Sequence, residues 1–153
     1  MKKIFLFGII LLVILYIPGL VMASTGNDII TEAENYTGET ITLDNSAFTT
    51  RVTPSDYPFG FTLNRSARVS VTRTSTDLDL ILTITVGGSH FVDACIFRRG
   101  ESTNPLGYTK MSPGNQLSVH TWKKDELKNV KEIDVFFTMY TNLSQYIYGD
   151  IKC

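Results

Sequence analysis

Charge, cysteine and histidine are all scarce in this chain of 153 residues, where Asp, Glu, Lys and Arg make up 19% and two cysteines, two histidines and one tryptophan are present. His90 and His120 fit neither a His-x-His nor a His-Glu-x-x-His spacing, which removes the usual metal-site patterns. Gly87-Gly88-Ser89-His90 sets a serine beside a histidine, but neighbours in a strand point to opposite faces and the Gly-x-Ser-x-Gly frame is absent, so a hydrolase reading lacks its motif. No internal repeat runs at a solenoid period. Nucleic acid and anionic lipid are excluded as partners, because the chain carries no basic footprint.

The one long apolar run stands at the start. Lys2 and Lys3 precede an uncharged stretch from Ile4, and Pro18-Gly19 break it shortly before Val21-Met22-Ala23. A basic n-region, an apolar h-region and small residues at −3 and −1 of a cut make a secretory signal helix over residues 1–23, so the mature chain is expected to run from Ser24 to Cys153. The competing reading is an uncleaved anchor, since Ile4 to Leu20 approaches the ~17 residues that span a bilayer. No cysteine follows the run, which argues against a lipoprotein anchor there. In both cases the lysines stay cytoplasmic and the rest is exported.

Removal of residues 1–23 leaves 130 of the 153 residues, enough for one domain with a core. Two of the 14 basic residues and none of the 15 acidic ones leave with the signal, giving 12 against 15 and a net −3. In an oxidising compartment Cys95 and Cys153 are expected to pair, closing a loop that would stabilise the fold by roughly 4 kcal/mol. Two buried thiols, or a bridge from Cys153 to a second chain, are the alternatives. Asn35-Tyr36-Thr37, Asn64-Arg65-Ser66 and Asn142-Leu143-Ser144 are glycosylation sequons if the host has the machinery, and chance matches otherwise.

Residues 24–39 are polar and lack a sustained period, and so read as a linker or a loosely packed lead-in. From Thr40 to Cys153, short runs of Val, Ile, Thr, Phe and Tyr alternate with turn residues, the pattern of an all-β fold. About eight or nine strands are expected in a single antiparallel, jelly-roll-like β-sandwich. Leu78, Leu80, Leu82, Ile84 and Val86 share one face of a central strand. Pro58–Leu63 and Ala67–Arg73 suggest a hairpin about Asn64-Arg65-Ser66, and Gly87-Gly88-Ser89 suggests a second tight turn. His90–Arg98 has apolar groups on both faces, which predicts a strand covered on each side. Leu106–Met111 reads as a short edge strand, Gln116–Trp122 as another strand, and Lys123–Asn129 as a brief helical turn. Ile133, Val135, Phe137 and Met139 share a face in the next strand, and Gln145–Lys152 closes the domain.

Asp77 and Asp79, two apart, would share a face of extended chain and hold calcium with Asp56 or backbone carbonyls; a solvated strand end explains them equally. Trp122, Tyr108, Tyr140, Tyr146 and Tyr148 are the candidates for a stacking platform toward sugar rings, against the alternative of strand aromatics packed beside a core. Tyr146 and Tyr148 share a strand face. Arg98-Arg99 reads as a polar strand end.

Tyr57-Pro58-Phe59-Gly60-Phe61-Thr62-Leu63, then Ala67-Arg68-Val69-Ser70-Val71, then Asp77-Leu78-Asp79-Leu80 resembles the opening of bacterial pre-peptidase C-terminal β-sandwich domains. Ser112-Pro113-Gly114 followed by a strand resembles their later Pro-Gly turn. The resemblance covers about half of the mature chain and implies a noncatalytic extracellular sandwich, sometimes calcium-associated, that assists attachment or secretion. Those domains accompany a secreted enzyme, and no enzyme domain precedes the sandwich in this sequence, so a role toward a protease does not carry over. Glu32-Ala33-Glu34-Asn35-Tyr36 is similar to the first strand of certain carbohydrate-binding modules whose acidic residues help hold calcium.

The expectation is therefore a secreted or cell-surface, noncatalytic binding or structural module for a protein, a glycan or an envelope component. No cofactor is expected, a calcium ion being the one candidate, and a membrane is met only through the N-terminal segment if that is retained uncleaved. A small secreted hydrolase and an inhibitor or immunity-type protein are the alternatives.

Overall fold

The computed structural model describes residues 26–43 and 56–153. The signal segment 1–23 and the cut before Ser24 lie outside the described residues. Within them the chain forms one helix, α1 (Gly26–Glu34), and nine strands: β1 (Thr40–Thr42), β2 (Asp56–Asn64), β3 (Ser66–Thr72), β4 (Leu80–Gly87), β5 (Val92–Arg98), β6 (Gly107–Met111), β7 (Leu117–Trp122), β8 (Glu132–Thr138) and β9 (Ser144–Lys152). They build two sheets, β1-β3-β8-β5-β6 and β2-β9-β4-β7. Every pairing is antiparallel except β1 with β3. The expected antiparallel sandwich is what forms.

Strict alternation drives the packing. In β4 the side chains of Leu80, Leu82, Ile84 and Val86 are fully buried, and they share one core cluster with Ile133, Val135 and Phe137 of β8. Each such side chain contributes about 1.5–3 kcal/mol of hydrophobic stabilisation. β4 lies between β9 and β7, which makes it an interior strand as its sequence predicts. Where β9 passes β4, Gly149 pairs with Ile84. A Cβ at Gly149 would run into the Thr83 carbonyl and lie 2.9 Å from Ile84 Cα, so only glycine lets the two strands approach.

Two expected hairpins are corners instead. β2 belongs to the four-stranded sheet and β3 to the five-stranded one, so Asn64-Arg65-Ser66 carries the chain across the sandwich. Arg65 adopts φ 77° there, and its carbonyl accepts the Met139 N–H at 2.8 Å. Gly87-Gly88-Ser89 likewise passes the chain from β4 to β5 in the other sheet. Among the described residues only β5 and β6 are consecutive strands paired in one sheet. A turn motif records that the chain reverses; which strand it then pairs with is decided by the packing of both sheets.

β5 is buried from Val92 to Phe97. Val92, Ala94 and Ile96 face the core between the sheets. Cys95 and Phe97 face outward with Phe136 of β8, and α1 covers them with Ile29 and Ala33. The ring of Tyr36 adds an edge-on contact to Phe136 at 5.4 Å. Of residues 24–39, expected as a linker or a lead-in to the domain, nine form a helix whose Ile29 and Ala33, four apart, lie on one face. A helix of nine residues is too short to stand alone in water, so packing on the sheet holds it.

The two ends of the sandwich differ in charge. The connections β2–β3, β4–β5, β6–β7 and β8–β9 meet at one end and contain a single charged residue, Arg65, which pairs with Glu32. At the other end the connections β3–β4, β5–β6 and β7–β8 hold eleven, from Arg73 to Lys131.

Candidate binding face and the buried arginine cleft

With α1 sealing much of the five-stranded sheet, the outer face of the four-stranded sheet is the broad surface left open. Along β9, Tyr146 and Tyr148 point outward and remain 50% and 46% exposed. Their rings lie 5.9 Å apart at 31°. Register sets Thr62 beside Tyr146, Gly60 beside Tyr148 and, across β4, Thr85 beside Tyr148. A Cβ at Gly60 would fall 2.5 Å from the Tyr146 hydroxyl, so the ring lies across the space that the glycine leaves. Beyond β4, Leu117 and Val119 of β7 are 67% and 61% exposed, opposite Thr85 and Thr83. Thr85 is itself buried, so the result is a surface of two phenols, the exposed Thr62 hydroxyl and two aliphatic groups.

Charge on this face is confined to its far half. Asp150 follows the tyrosines along β9, and Lys152 pairs with Asp56 at 3.4 Å. At the near end Gly87 is in register with Tyr146, and a Cβ there would lie 3.3 Å from Asn115 Oδ1. The Asn115 amide thus sits beside the tyrosine stripe, held by its backbone N–H on the Val86 carbonyl at 2.9 Å.

On the opposite sheet a cleft of about 480 Å³ is lined by Tyr36, Thr40, Arg68, Ser70, Arg99 and Asp134 among others. Its base is a buried ion pair, Arg68 Nη1 with Asp134 Oδ2 at 3.2 Å. The Arg68 guanidinium also donates to the carbonyls of Glu101 (2.9 Å) and Ala33 (3.3 Å) and to Ser102 Oγ (2.6 Å). Asp134 accepts from Ser70 Oγ and from the Gly100 N–H at 2.9 Å. Both terminal nitrogens of Arg68 and both oxygens of Asp134 are engaged, so this network fastens α1, β3, β8 and the β5–β6 connection together. Nothing local in the sequence marks it, because Arg68 and Asp134 stand on strands separated by four others in the chain.

The other candidate residues are dispersed. Trp122 is 2% exposed with its indole packed against Gly107, so it belongs to the core and not to the platform. Asp77 and Asp79 lie in the turn before β4, not in extended chain. Asp79 accepts Lys123 Nζ at 2.9 Å and the Lys124 N–H at 2.8 Å, and the Lys123 hydrogen bond foremost holds its carboxyl below the usual range. Asp56 is engaged with Lys152. Among the described residues no three His, Cys, Asp or Glu side chains converge as a cation site. His120 packs edge-on to Trp122 at 4.5 Å, and burial lowers its pKa. The main chain of His90 is clasped by Gln145, which accepts its N–H at 3.3 Å and donates to its carbonyl at 2.9 Å. The cysteines correct the expected bridge: both are free. Cys95 lies under α1 on the outer side of the five-stranded sheet, whereas Cys153 follows β9 into the core between the sheets. Burial pushes both thiols up to about 12.

Comparison with solved structures gives the pre-peptidase C-terminal domain of a collagenase from Bacillus anthracis, at a TM-score of 0.50 and 8% identity, covering 77% of this chain and 99% of that one. What the two share is the fold. The resemblance read from the Tyr57–Leu63, Ala67–Val71 and Asp77–Leu80 segments therefore extends to the whole sandwich. A periplasmic inhibitor of g-type lysozyme, PliG from Aeromonas hydrophila, aligns at a TM-score of 0.43 with 10% identity over 74% of this chain and 94% of that one. No protein-family model and no curated protein sequence matches the chain. Among the described residues no helix is long and apolar enough to cross a membrane.

Proposed function

We propose that this is an exported, noncatalytic binding module whose contact surface is the outer face of the four-stranded sheet, and that its ligand is a glycan. The observation that carries the reading is the Tyr146–Tyr148 pair. Two large rings held half-exposed and side by side on a rigid strand lose little conformational freedom on binding, and their faces suit the C–H patches of sugar rings while the hydroxyl edges stay hydrated. Export rests on the N-terminal segment. The noncatalytic reading rests on the dispersion of every candidate acid, base and nucleophile among the described residues.

Affinity electrophoresis through gels containing soluble polysaccharides tests the proposal. Retardation is expected for the parent chain, and Tyr146→Ala combined with Tyr148→Ala should weaken binding about tenfold or more. Unchanged retardation in the double variant would sink the assignment of the face. A second reading, a blocking protein that docks on another protein, is favoured by Leu117 and Val119, aliphatic groups exposed on the uncharged edge strand β7. It predicts a stoichiometric complex that Leu117→Lys abolishes and the tyrosine variants leave intact.

A further inference from the structure

Resting on the assignment of this face, we infer that its ligand is an uncharged polysaccharide, bound at the half of the sheet that borders the charge-poor end of the sandwich. The groups around the tyrosines are hydroxyls and amides. Thr62 flanks the stripe in register, and Asn115 stands over Gly87 at its end. Such groups both donate and accept, as sugar hydroxyls do, and they offer an ionised ligand no countercharge.

The placement of charge rejects acidic chains. Lys152 is the one cation that the described strands of this sheet direct onto the face, and it is already paired with Asp56 at the far end. Asp150, the next outward residue after Tyr148, would lie against any carboxylate or sulfate carried along the stripe. Arg65, at the near end, is committed to Glu32 on the other side of the sandwich. An acidic polysaccharide would therefore surrender its hydration and meet repulsion, whereas a neutral one gives up only hydrogen bonds that Thr62, the tyrosine hydroxyls and Asn115 replace.

The test compares neutral polymers, such as hydroxyethyl cellulose and galactomannan, with acidic ones, such as polygalacturonate and alginate, in the same gels at two salt concentrations. Retardation by a neutral polymer alone is expected. It should be unchanged from about 0.01 M to about 0.3 M salt, because no ion pair is there to screen. Asn115→Gly and Tyr146→Ala should each weaken it severalfold, with thermal unfolding little changed, because both side chains are exposed and glycine keeps the φ of 59° that Asn115 adopts. Retardation by acidic polymers that fades with salt and still depends on Tyr146 would overturn the neutral-ligand inference while sparing the face. Retardation by no polymer, or retardation indifferent to Tyr146, would overturn both.

Discussion

At the scale of single residues, the two cysteines show how position on a strand outweighs spacing in sequence. An oxidising compartment would make a bridge chemically available, yet Cys95 and Cys153 lie in separate clusters with the five-stranded sheet between them. Two consequences follow from their burial. Neither thiol should react with a small alkylating reagent in the native protein at neutral pH, while both should react once the chain is unfolded without reductant. Recovery of no free thiol from the unfolded chain would restore the bridge. Stability should also depend on alkaline pH. Burial raises both folded-state pKa values from 9.0 to about 12, so the thiols are protonated in both states below about pH 9 and stability is full there. As pH rises toward about 12 the unfolded chain ionises first, and each thiol removes about 1.4 kcal/mol per pH unit. Denaturant unfolding across this window should show a shallower decline for Cys95→Ala than for the parent, since lysines and tyrosines titrate equally in both.

At the scale of elements, the alternation of Leu80, Leu82, Ile84 and Val86 was enough to identify an interior strand, because period-2 burial leaves a direct trace in sequence. The two-sided composition of β5 announced a covered strand as well. What covered it was illegible: α1 is marked only by Ile29, Ala33 and Tyr36 amid polar residues, too short a series to establish a period. The corners at Arg65 and Gly88 were read as hairpins for a similar reason, turn chemistry being local and partner choice not. The platform was half legible. Alternation placed Tyr146 and Tyr148 on one face of β9, but it gave no indication that Trp122 turns inward. The arginine cleft left no trace, and it joins the most elements. Arg68→Ala should destabilise the fold by about 3–5 kcal/mol, because Asp134 would be left buried at 2% exposure without its countercharge. Chemical denaturation is the measurement. A loss under 1 kcal/mol would mean that Ser70 and the Gly100 N–H alone support the carboxylate.

For the whole molecule, the division of labour between the two outer faces bears on where the domain begins. The four-stranded sheet leaves its outer face to solvent, whereas the five-stranded sheet carries Cys95, Phe97 and Phe136 outward and depends on α1 to cover them. Composition suggests that the domain starts at Thr40, and the packing of Ile29 and Ala33 on the sheet gives a reason to test a start at α1 instead. A chain beginning at Thr40 would lose those two side chains, the Tyr36 ring and the Ala33 carbonyl that Arg68 donates to. Cys95 is the internal reporter of that loss, and Cys153, in the other cluster, is the control. Intact mass after brief treatment with iodoacetamide should show an unmodified protein when the chain begins at Ser24. When it begins at Thr40, Cys95 should be modified, alone if the inter-sheet core holds and together with Cys153 if the domain needs the helix to fold. Protection of Cys95 in the shorter chain would show that α1 is dispensable and leave residues 24–39 in the role of a linker.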